Sequence, residues 1–481
     1  MFELRDVFAA LGASPVVDDE RTVVDDLAVD ARRVRSGSVF FCVSGFGVDG
    51  HDWAGEAVAN GAVALVAERR LDVAAPQILV ADARAALATV AVEYWGRPTE
   101  TLPVVGVTGT SGKTTTAYLL HSILEAAGRR PGLYSTIETQ IGSERTPSRP
   151  WTPVAFHLQG AFRSMLDAGN LSCAIEATSY DSDLRRLDGV HFAALVFTNL
   201  GHDHLDFHGT FENYYAAKRR LFLDERPPAA VNVGDPYGRR LFSELRERGH
   251  ERVLTFGLSP EADVSPEKLE SAAEGARLRV DGLELRTRLP GAFNVENVLA
   301  AVAAARLLDV PDEAIATGIS ALASVPGRME VIDEGQPFSV FVDYAHKPEA
   351  LEAVLRTART LTDGRVLCVF GCGGDCYRGK RPMMGRIASS LSDLVIVTTD
   401  NPRNEDPQAI VDDIVAGGAP DEVELDRRRA IERVVDLARP GDVILVAGRG
   451  HETEQELSEG RTVRLDDRDV VRDVLRRSGW G

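Results

Sequence analysis

Short apolar runs that each end in a cluster of glycine, hydroxyl and charged residues, followed by a longer stretch of mixed polarity, recur along this chain from about residue 100 onward. Leu102 to Val107 runs into Gly106-Val-Thr-Gly-Thr-Ser-Gly-Lys113-Thr-Thr-Thr116 and then a helical segment. Leu171 to Ile175 leads into Glu176, and Phe192 to Phe197 leads into Thr198-Asn-Leu-Gly-His-Asp-His204-Leu-Asp206. Four later runs behave alike: Phe338 to Val342 before Asp343-Tyr-Ala-His346, Val366 to Phe370 before Gly371 to Pro382, Leu394 to Thr398 before Thr399-Asp-Asn-Pro-Arg403, and Val443 to Ala447 before Gly448-Arg-Gly-His-Glu452. Apolar runs of this length predict buried strands, and their alternation with helical segments predicts α/β domains with mostly parallel sheets. Residues 1–100 alternate shorter apolar runs with turns, and Ser36 to His51 reads as a strand followed by a glycine-rich polar loop suited to an anionic group. The segment Gly96-Arg-Pro-Thr-Glu-Thr-Leu-Pro103 reads as a linker. The expected division is therefore 1–100, 101–328 and 329–481, with no internal repeat.

The strand, glycine loop and helix around Lys113 have the order required of a nucleoside-triphosphate site. Glycine-freed backbone N–H groups of Gly109, Thr110, Ser111 and Gly112 can wrap a polyphosphate, Lys113 offers a point charge, and Thr114 or Thr115 can reach Mg²⁺. Five residues rather than four separate Gly106 from Gly112, so the motif is a variant of the usual spacing. A helix-capping turn is the bland alternative, and the element order argues against it. Ligands of open α/β sheets bind beyond the carboxyl ends of the strands, so Glu176 and His204 are expected to converge on the phosphates. The same rule makes the loops after the four later strands one binding face, where Arg378, Lys380, Arg381, Arg403 and Arg449 suggest an anionic substrate.

Composition narrows the picture. A chain of 481 residues is too long for one core, and a formal charge of −19 argues against unspecific binding of nucleic acid or an anionic membrane. Neither a membrane span nor a secretory leader is apparent, so the cytoplasm is the expected compartment. The five cysteines, at 42, 173, 368, 372 and 376, form no disulfide framework and read as small buried side chains.

Taken together, these loops resemble the Mur ligase family, most closely its MurE branch, the UDP-N-acetylmuramoyl-dipeptide:amino-acid ligases of peptidoglycan synthesis. The resemblance is carried by Asp30-Ala-Arg-Arg-Val-Arg-Ser-Gly-Ser-Val-Phe-Phe, Asp49-Gly-His51, Thr108 to Thr115, Thr198 to Gly209, Ala216-Ala-Lys218, Gly291 to Asn297, Gly327-Arg-Met-Glu330, Asp343-Tyr-Ala-His346, Lys380 to Gly385, Asp400 to Arg403 and Gly448 to Glu452. It implies a three-domain α/β architecture with a central P-loop ATPase-like domain and a Rossmann-like C-terminal domain. It also implies an ADP-forming reaction in which ATP phosphorylates a carboxylate and an amine displaces the phosphate. By the same resemblance Lys113, Lys218, His204 and Glu176 are catalytic, and Thr114, Glu176, His204 and Lys218 hold Mg²⁺, Lys218 as its carbamate. Asn294 and Asn297 border the adenine, and Arg328, Asp343 and His346 close over ATP. Thr152, Thr178 and Arg186 meet the UDP-linked peptide donor, while Asp400, Asn401, Arg403, Gly448 and Glu452 meet the amino acid, meso-diaminopimelate by the Asp-Asn-Pro-Arg pattern.

The chain departs from the family pattern at Ala31, Trp151, Tyr180 and at Gly374-Asp-Cys376-Tyr377, where the family has an arginine; Arg378 is the nearest replacement in sequence. Two alternatives therefore stand beside a muramoyl-peptide ligase: a diverged ligase with another donor or amino acid, and a non-catalytic binder of nucleotide or UDP-sugar. Retention of Lys113, Glu176, His204 and Lys218 argues against the binder.

Overall fold

The computed structural model describes residues 1–14, 21–45, 47–148, 155–272 and 275–480. They gather into two compact units: Met1–Gly106 with Arg129–Ala194 and Arg220–Pro227, and Val107–Gly128 with Leu195–Arg219 and Pro228–Gly481.

The first unit opens with four parallel strands, Asp26–Ala28, Ser38–Phe41, Ala64–Ala67 and Gln77–Leu79, in sequential order. Side chains alternate between sheet faces. Val39 and Phe41 pack with Val66, Ile78 and the helices Leu4–Ala10 and Ala83–Tyr94. Phe40 and Cys42 face the other way, onto Leu65, Ala54 and Ala57. A sheet covered on both faces explains why its strands read as continuous apolar runs rather than as alternation. Asp82 begins the Ala83–Tyr94 helix by accepting the backbone N–H groups of Arg84 and Ala85, both at 2.9 Å. Further along, Pro131–Tyr134 pairs parallel with Ser172–Glu176 and antiparallel with Glu138–Ile141, which turns back as Glu144–Pro147.

In the second unit, the end of the Phe192–Phe197 strand pairs parallel with Ala229–Asn232, and that with Val253–Phe256. Helices Lys113–Ala126, Ala292–Leu307 and Asp312–Ala321 pack on one another, closely enough that a Cβ on Gly318 would lie 2.4 Å from the Ile123 Cα. A three-stranded antiparallel sheet, Lys268–Ala272, Gly275–Val280 and Leu283–Thr287, interrupts the α/β alternation. The surrounding apolar pattern predicts more of the same alternation here. Yet Ala276, Leu278 and Val280 are buried while Arg277 and Arg279 face outward, the two-residue period of a half-exposed strand.

The C-terminal part of this unit is a six-stranded sheet in the order Glu330–Val331, Ser339–Asp343, Val443–Ala447, Val366–Phe370, Leu394–Val397, Glu422–Val423. The four central strands are parallel, so the loops after them emerge at one edge, as the sequence predicts. Phe341, Cys368, Phe370 and Leu445 pack against helices on one face, and Val340, Val369, Ile444 and Val446 against helices on the other, the doubly wound arrangement. Glu176 and Asp343 are the last residues of their strands rather than the first beyond them. Cys42, Cys173, Cys368 and Cys372 are buried free thiols, and Cys376 is partly exposed. No described helix is long and apolar enough to cross a membrane.

The loop edge is tied together from beneath by a buried ion pair. Arg427 forks onto Asp467 at 2.8 and 2.7 Å, and its remaining N–H groups reach the carbonyls of Thr399 at 3.0 Å and Ala447 at 2.9 Å. It thereby joins the ends of two strands whose following loops carry Asp400 and Gly448. Breaking a buried pair leaves one charge uncompensated. Arg427→Ala is expected to cost about 3–5 kcal/mol and lower the urea midpoint, whereas the double variant Arg427→Met/Asp467→Leu should recover much of the loss; equal midpoints for the alanine variant and the parent would show that the pair contributes nothing.

Candidate active site

The glycine loop between the Val104–Thr108 strand and the Lys113–Ala126 helix is built by close approach. A Cβ on Gly109 would lie 1.8 Å from the Thr198 Oγ1, and one on Gly112 would lie 2.3 Å from the Asn297 Oδ1. Both glycines have positive φ, +150° and +84°, so neither tolerates a side chain. The loop is held from the segment after the neighbouring strand. Thr198 Oγ1 donates to the Ser111 carbonyl at 2.7 Å, Asn199 Oδ1 accepts the Ser111 N–H at 2.9 Å, and Thr110 Oγ1 accepts the Gly201 N–H at 2.9 Å while meeting the Tyr214 hydroxyl at 3.0 Å.

Two lysines converge here. Lys113 Nζ donates to the carbonyls of Gly109 and Thr110, both at 2.9 Å, and Lys218 Nζ donates to the same Gly109 carbonyl at 2.8 Å. Lys218 is 1% exposed and lies 4.7 Å from the Tyr214 ring centroid, one helical turn away on the same face. Thr114 and Thr115 are buried in the first turn of the helix, and Thr114 Oγ1 accepts from Arg328 at 3.2 Å. Asn297 donates to Asn294 Oδ1 at 3.0 Å, and Asn294 to the Pro290 carbonyl at 2.7 Å, so both amides are fixed.

His204 has φ +52° and an Nε2 to Asp203 distance of 2.7 Å. Burial lowers its pKa against the pull of Asp203, favouring the neutral imidazole, the form with a lone pair for a metal. For Asp203, burial acts upward, but the Lys347 ammonium and the His204 bond outweigh it and hold the carboxyl well below the usual range. Arg328 lies over the Tyr344 ring at 4.5 Å. Asp343 accepts the N–H groups of Met329 at 2.6 Å and Ala345 at 2.8 Å, and burial pushes its pKa up to about 6. His346 is kept neutral chiefly by burial and meets the Tyr344 carbonyl at 2.8 Å.

At the C-terminal sheet edge, Asn401 is the hub. Its Nδ2 donates to Glu452 at 2.8 Å, and its Oδ1 accepts from Arg449 at 2.6 Å and from the Glu456 N–H at 3.0 Å. Asp400 is buried, with Oδ2 where a Cβ on Gly448 would come within 2.5 Å. Burial and the neighbouring Asp400 raise the Glu452 pKa to about 7. Arg403, at φ +50°, is aimed by Glu456 at 2.6 Å and the Gly374 carbonyl at 2.8 Å. The expectation of a five-cation substrate face needs correction. Arg381 and Arg449 are fully buried: Arg381 binds Glu405, Asp413 and the Gly373 carbonyl, and Arg449 binds Asn401 and the carbonyls of Glu454 and Leu465. Arg378 pairs with Glu405 at 2.7 Å, so it does not stand free to replace the arginine lost at Cys376.

In the first unit, Glu176 Oε1 accepts the N–H of Thr136 at 2.8 Å and its hydroxyl at 3.0 Å, orienting a carboxylate that is 5% exposed. Thr178 and Arg186 meet on Asp181, at 2.5 and 3.1 Å. Asp30 forms a bidentate pair with Arg32, 2.9 Å on each arm. The buried His51 accepts the Glu68 N–H at Nε2, 3.0 Å, leaving its Nδ1 proton for Asp49 at 2.6 Å. Trp151 and Thr152 lie outside the described residues. Among residues that the sequence reading passed over, Asn199 and Tyr214 brace the phosphate loop; Asn199 directly follows Thr198 at a strand end, and Tyr214 stands four residues before Lys218, so spacing was the available signal.

Comparison with known proteins agrees with this arrangement. Residues 24–95 match the Mur ligase family catalytic domain, 107–305 the Mur ligase middle domain, and 327–450 the Mur ligase glutamate ligase domain. The chain is 39% identical to the UDP-N-acetylmuramoyl-L-alanyl-D-glutamate--2,6-diaminopimelate ligase of Clostridium perfringens, covering 98% of this chain and 99% of that one. It is 43% identical to the ligase of the same name from Solibacter usitatus, over 96% and 95%. A solved structure of a ligase of that name superposes with a TM-score of 0.72 at 31% identity, over 98% and 99%. Full-length similarity at this level, on a chain whose glycine loop, paired lysines and strand-end carboxylates are built as described, shows that the chain belongs to the Mur ligase family.

Proposed function

We propose that this chain is an ATP-dependent, ADP-forming amide ligase that adds meso-diaminopimelate to UDP-N-acetylmuramoyl-L-alanyl-D-glutamate in the cytoplasm, with domains at 1–100, 101–328 and 329–481. The observation that carries the reading is the pairing of a phosphate loop on which two lysines converge, Lys113 and Lys218, with an acceptor edge that offers a fixed guanidinium, Arg403, and a carboxylate, Glu452. The names of the full-length relatives supply the substrates. A free carboxylate has no adequate leaving group for attack by an amine; phosphorylation supplies one.

The phosphate loop suits a polyphosphate, because Gly109 and Gly112 leave backbone where any side chain would collide. Lys113 neutralises charge on the transferring phosphoryl group, and Arg328 orients the Thr114 hydroxyl. Thr114, Glu176, His204 and carbamylated Lys218 are the residues we assign to magnesium; the hydroxyl, carboxylate and carbamate offer the oxygen ligands a hard cation prefers, and the imidazole is the less usual partner. When bound, magnesium supplies charge neutralisation across the phosphates. Two ammonium groups on the Gly109 carbonyl repel each other, and converting Lys218 to a carbamate replaces that repulsion with attraction to Lys113. At the acceptor edge, Arg403 meets a distal carboxylate and Glu452 a distal ammonium, a combination that lysine satisfies only by half.

Lys218→Ala is expected to lower turnover by about 10²–10³-fold, with partial recovery on adding a small carboxylic acid. Full activity without rescue would remove the carbamate from the reaction.

Product mass in a competition between diaminopimelate and lysine tests the substrate assignment. Diaminopimelate should dominate, and Arg403→Ala should lose about 2–4 kcal/mol in kcat/KM for it while the KM for ATP stays near its starting value. Preference for lysine or a neutral amino acid would instead support a diverged ligase.

Glu452 gives a pH signature. A carboxyl with pKa about 7 is neutral below that pH and anionic above it. An ammonium binds the anion, so the KM for diaminopimelate should fall roughly tenfold as pH rises from about 6 to about 8. In Glu452→Gln the KM should be high and flat across the range; a slope that persists in this variant would assign the titration to another group.

A further inference from the structure

The first unit contains a cavity of about 420 Å³ whose lining includes Phe40 and Leu87 as apolar wall and four guanidinium groups, those of Arg32, Arg84, Arg185 and Arg186. This volume is in the range of small-molecule sites. Three of the four cations are already matched. Arg32 pairs with Asp30 at 2.9 Å, Arg185 with Asp188 at 3.2 Å and Asp82 at 3.4 Å, and Arg186 with Asp181 at 3.1 Å. Arg84 differs. Its Nη2 donates to the carbonyl of Ser44, in the glycine-rich loop after the Ser38–Phe41 strand, and among the described residues it has no carboxylate within 4.0 Å.

Half-burial and then the positive charge of Arg186 disfavour the charged form of Arg84. A loop tether alone needs no such cost, since any neutral donor reaching the Ser44 carbonyl would serve. A guanidinium held beside another in a cavity, with no carboxylate among the described residues in ion-pair contact and only the longer-range attraction of Asp82, Glu68 and Asp183, is instead suited to an anion that arrives with a ligand. The position of Arg84 is also well defined, because it is the second residue of a twelve-residue helix whose first turn is capped by Asp82.

We propose that Arg84 is an anion-binding residue of the donor pocket, acting on a phosphate or carboxylate of the nucleotide-linked substrate. This assignment rests on the ligase reading above. The full chain is titrated calorimetrically with UDP and with uridine, and donor KM and kcat are measured in parallel. In Arg84→Met, UDP affinity should fall about tenfold or more while uridine affinity changes less than about twofold; Arg84→Lys, which keeps the charge, should fall between the two. Unchanged UDP affinity with a donor KM raised about tenfold also supports the assignment and makes the anion a carboxylate of the peptide. Equal losses for UDP and uridine would mark Arg84 as a scaffold residue, and unchanged values for UDP and donor would remove it from the site; either overturns the proposal. If the methionine variant does not fold, a lysine variant matching the parent in the same assays overturns the guanidinium-specific role, and one with the UDP-selective loss supports it. UDP binding needs no turnover. A parent enzyme that binds UDP but does not ligate the muramoyl dipeptide would therefore sink the ligase reading and leave Arg84 to be judged by its effect on UDP.

Discussion

The carbonyl oxygen of Gly109 accepts hydrogen bonds from Lys113 and Lys218, and the geometry of the proposed nucleotide site depends on that shared acceptor. The loop can present the carbonyl this way only because Gly109 passes against Thr198 and Gly112 against Asn297 with no room for a Cβ. Thr198, Asn199 and Tyr214 then hold the loop from outside, so the cations sit on a braced backbone. Preorganisation of this sort is where electrostatic catalysis gets its magnitude, since nothing must reorient at the transition state. A lysine that is 1% exposed is costly as a free cation, a cost that the carbamate proposed for Lys218, paired with the nearby Lys113 charge, would offset.

The acceptor edge follows a different physical logic. Parallel strands deliver four loops to one side of a sheet, but loops alone do not fix side chains to a fraction of an ångström. Arg427 joins the ends of two of those strands through a buried pair with Asp467, and Arg449 and Asn401 then orient Glu452. Arginines that sequence reading assigned to substrate thus divide by burial: Arg381 and Arg449 are scaffolding, while Arg403 is a partly exposed group aimed by Glu456.

This division marks what was legible in the chain. The doubly wound C-terminal sheet and the phosphate loop could be read because their signals are local: apolar runs of strand length, glycines beside a lysine, carboxylates at strand ends. That route places Glu176 and Asp343 at strand ends, where the structure has them. Arg381 and Arg449 were misread because their counter-charges and acceptors come from Glu405, Asp413, Glu454 and Leu465, and a charge shows in sequence without its partner. The replacement of a family arginine by Cys376 pointed to Arg378 by proximity alone, whereas Glu405 has already engaged it. The antiparallel strands of 268–287 carried a readable two-residue period at Ala276 to Val280, outweighed by the alternation around them.

A chain of net charge −19 cannot draw in the nucleotide and UDP-linked anions proposed as its ligands by its overall field. At physiological ionic strength, charges more than about 8 Å apart are largely screened, so recognition depends on the few cations near each bound group. These cations are protected from the surrounding acids in distinct ways. Lys113 is held on loop carbonyls, and Arg403 keeps one carboxylate neighbour that aims it. Most other arginines are neutralised by close carboxylates, as Arg32 and Arg185 are. In a strongly acidic protein, pairing is the ordinary fate of a guanidinium, and a half-buried one bonded to a carbonyl instead is therefore more informative than it would be on a basic surface.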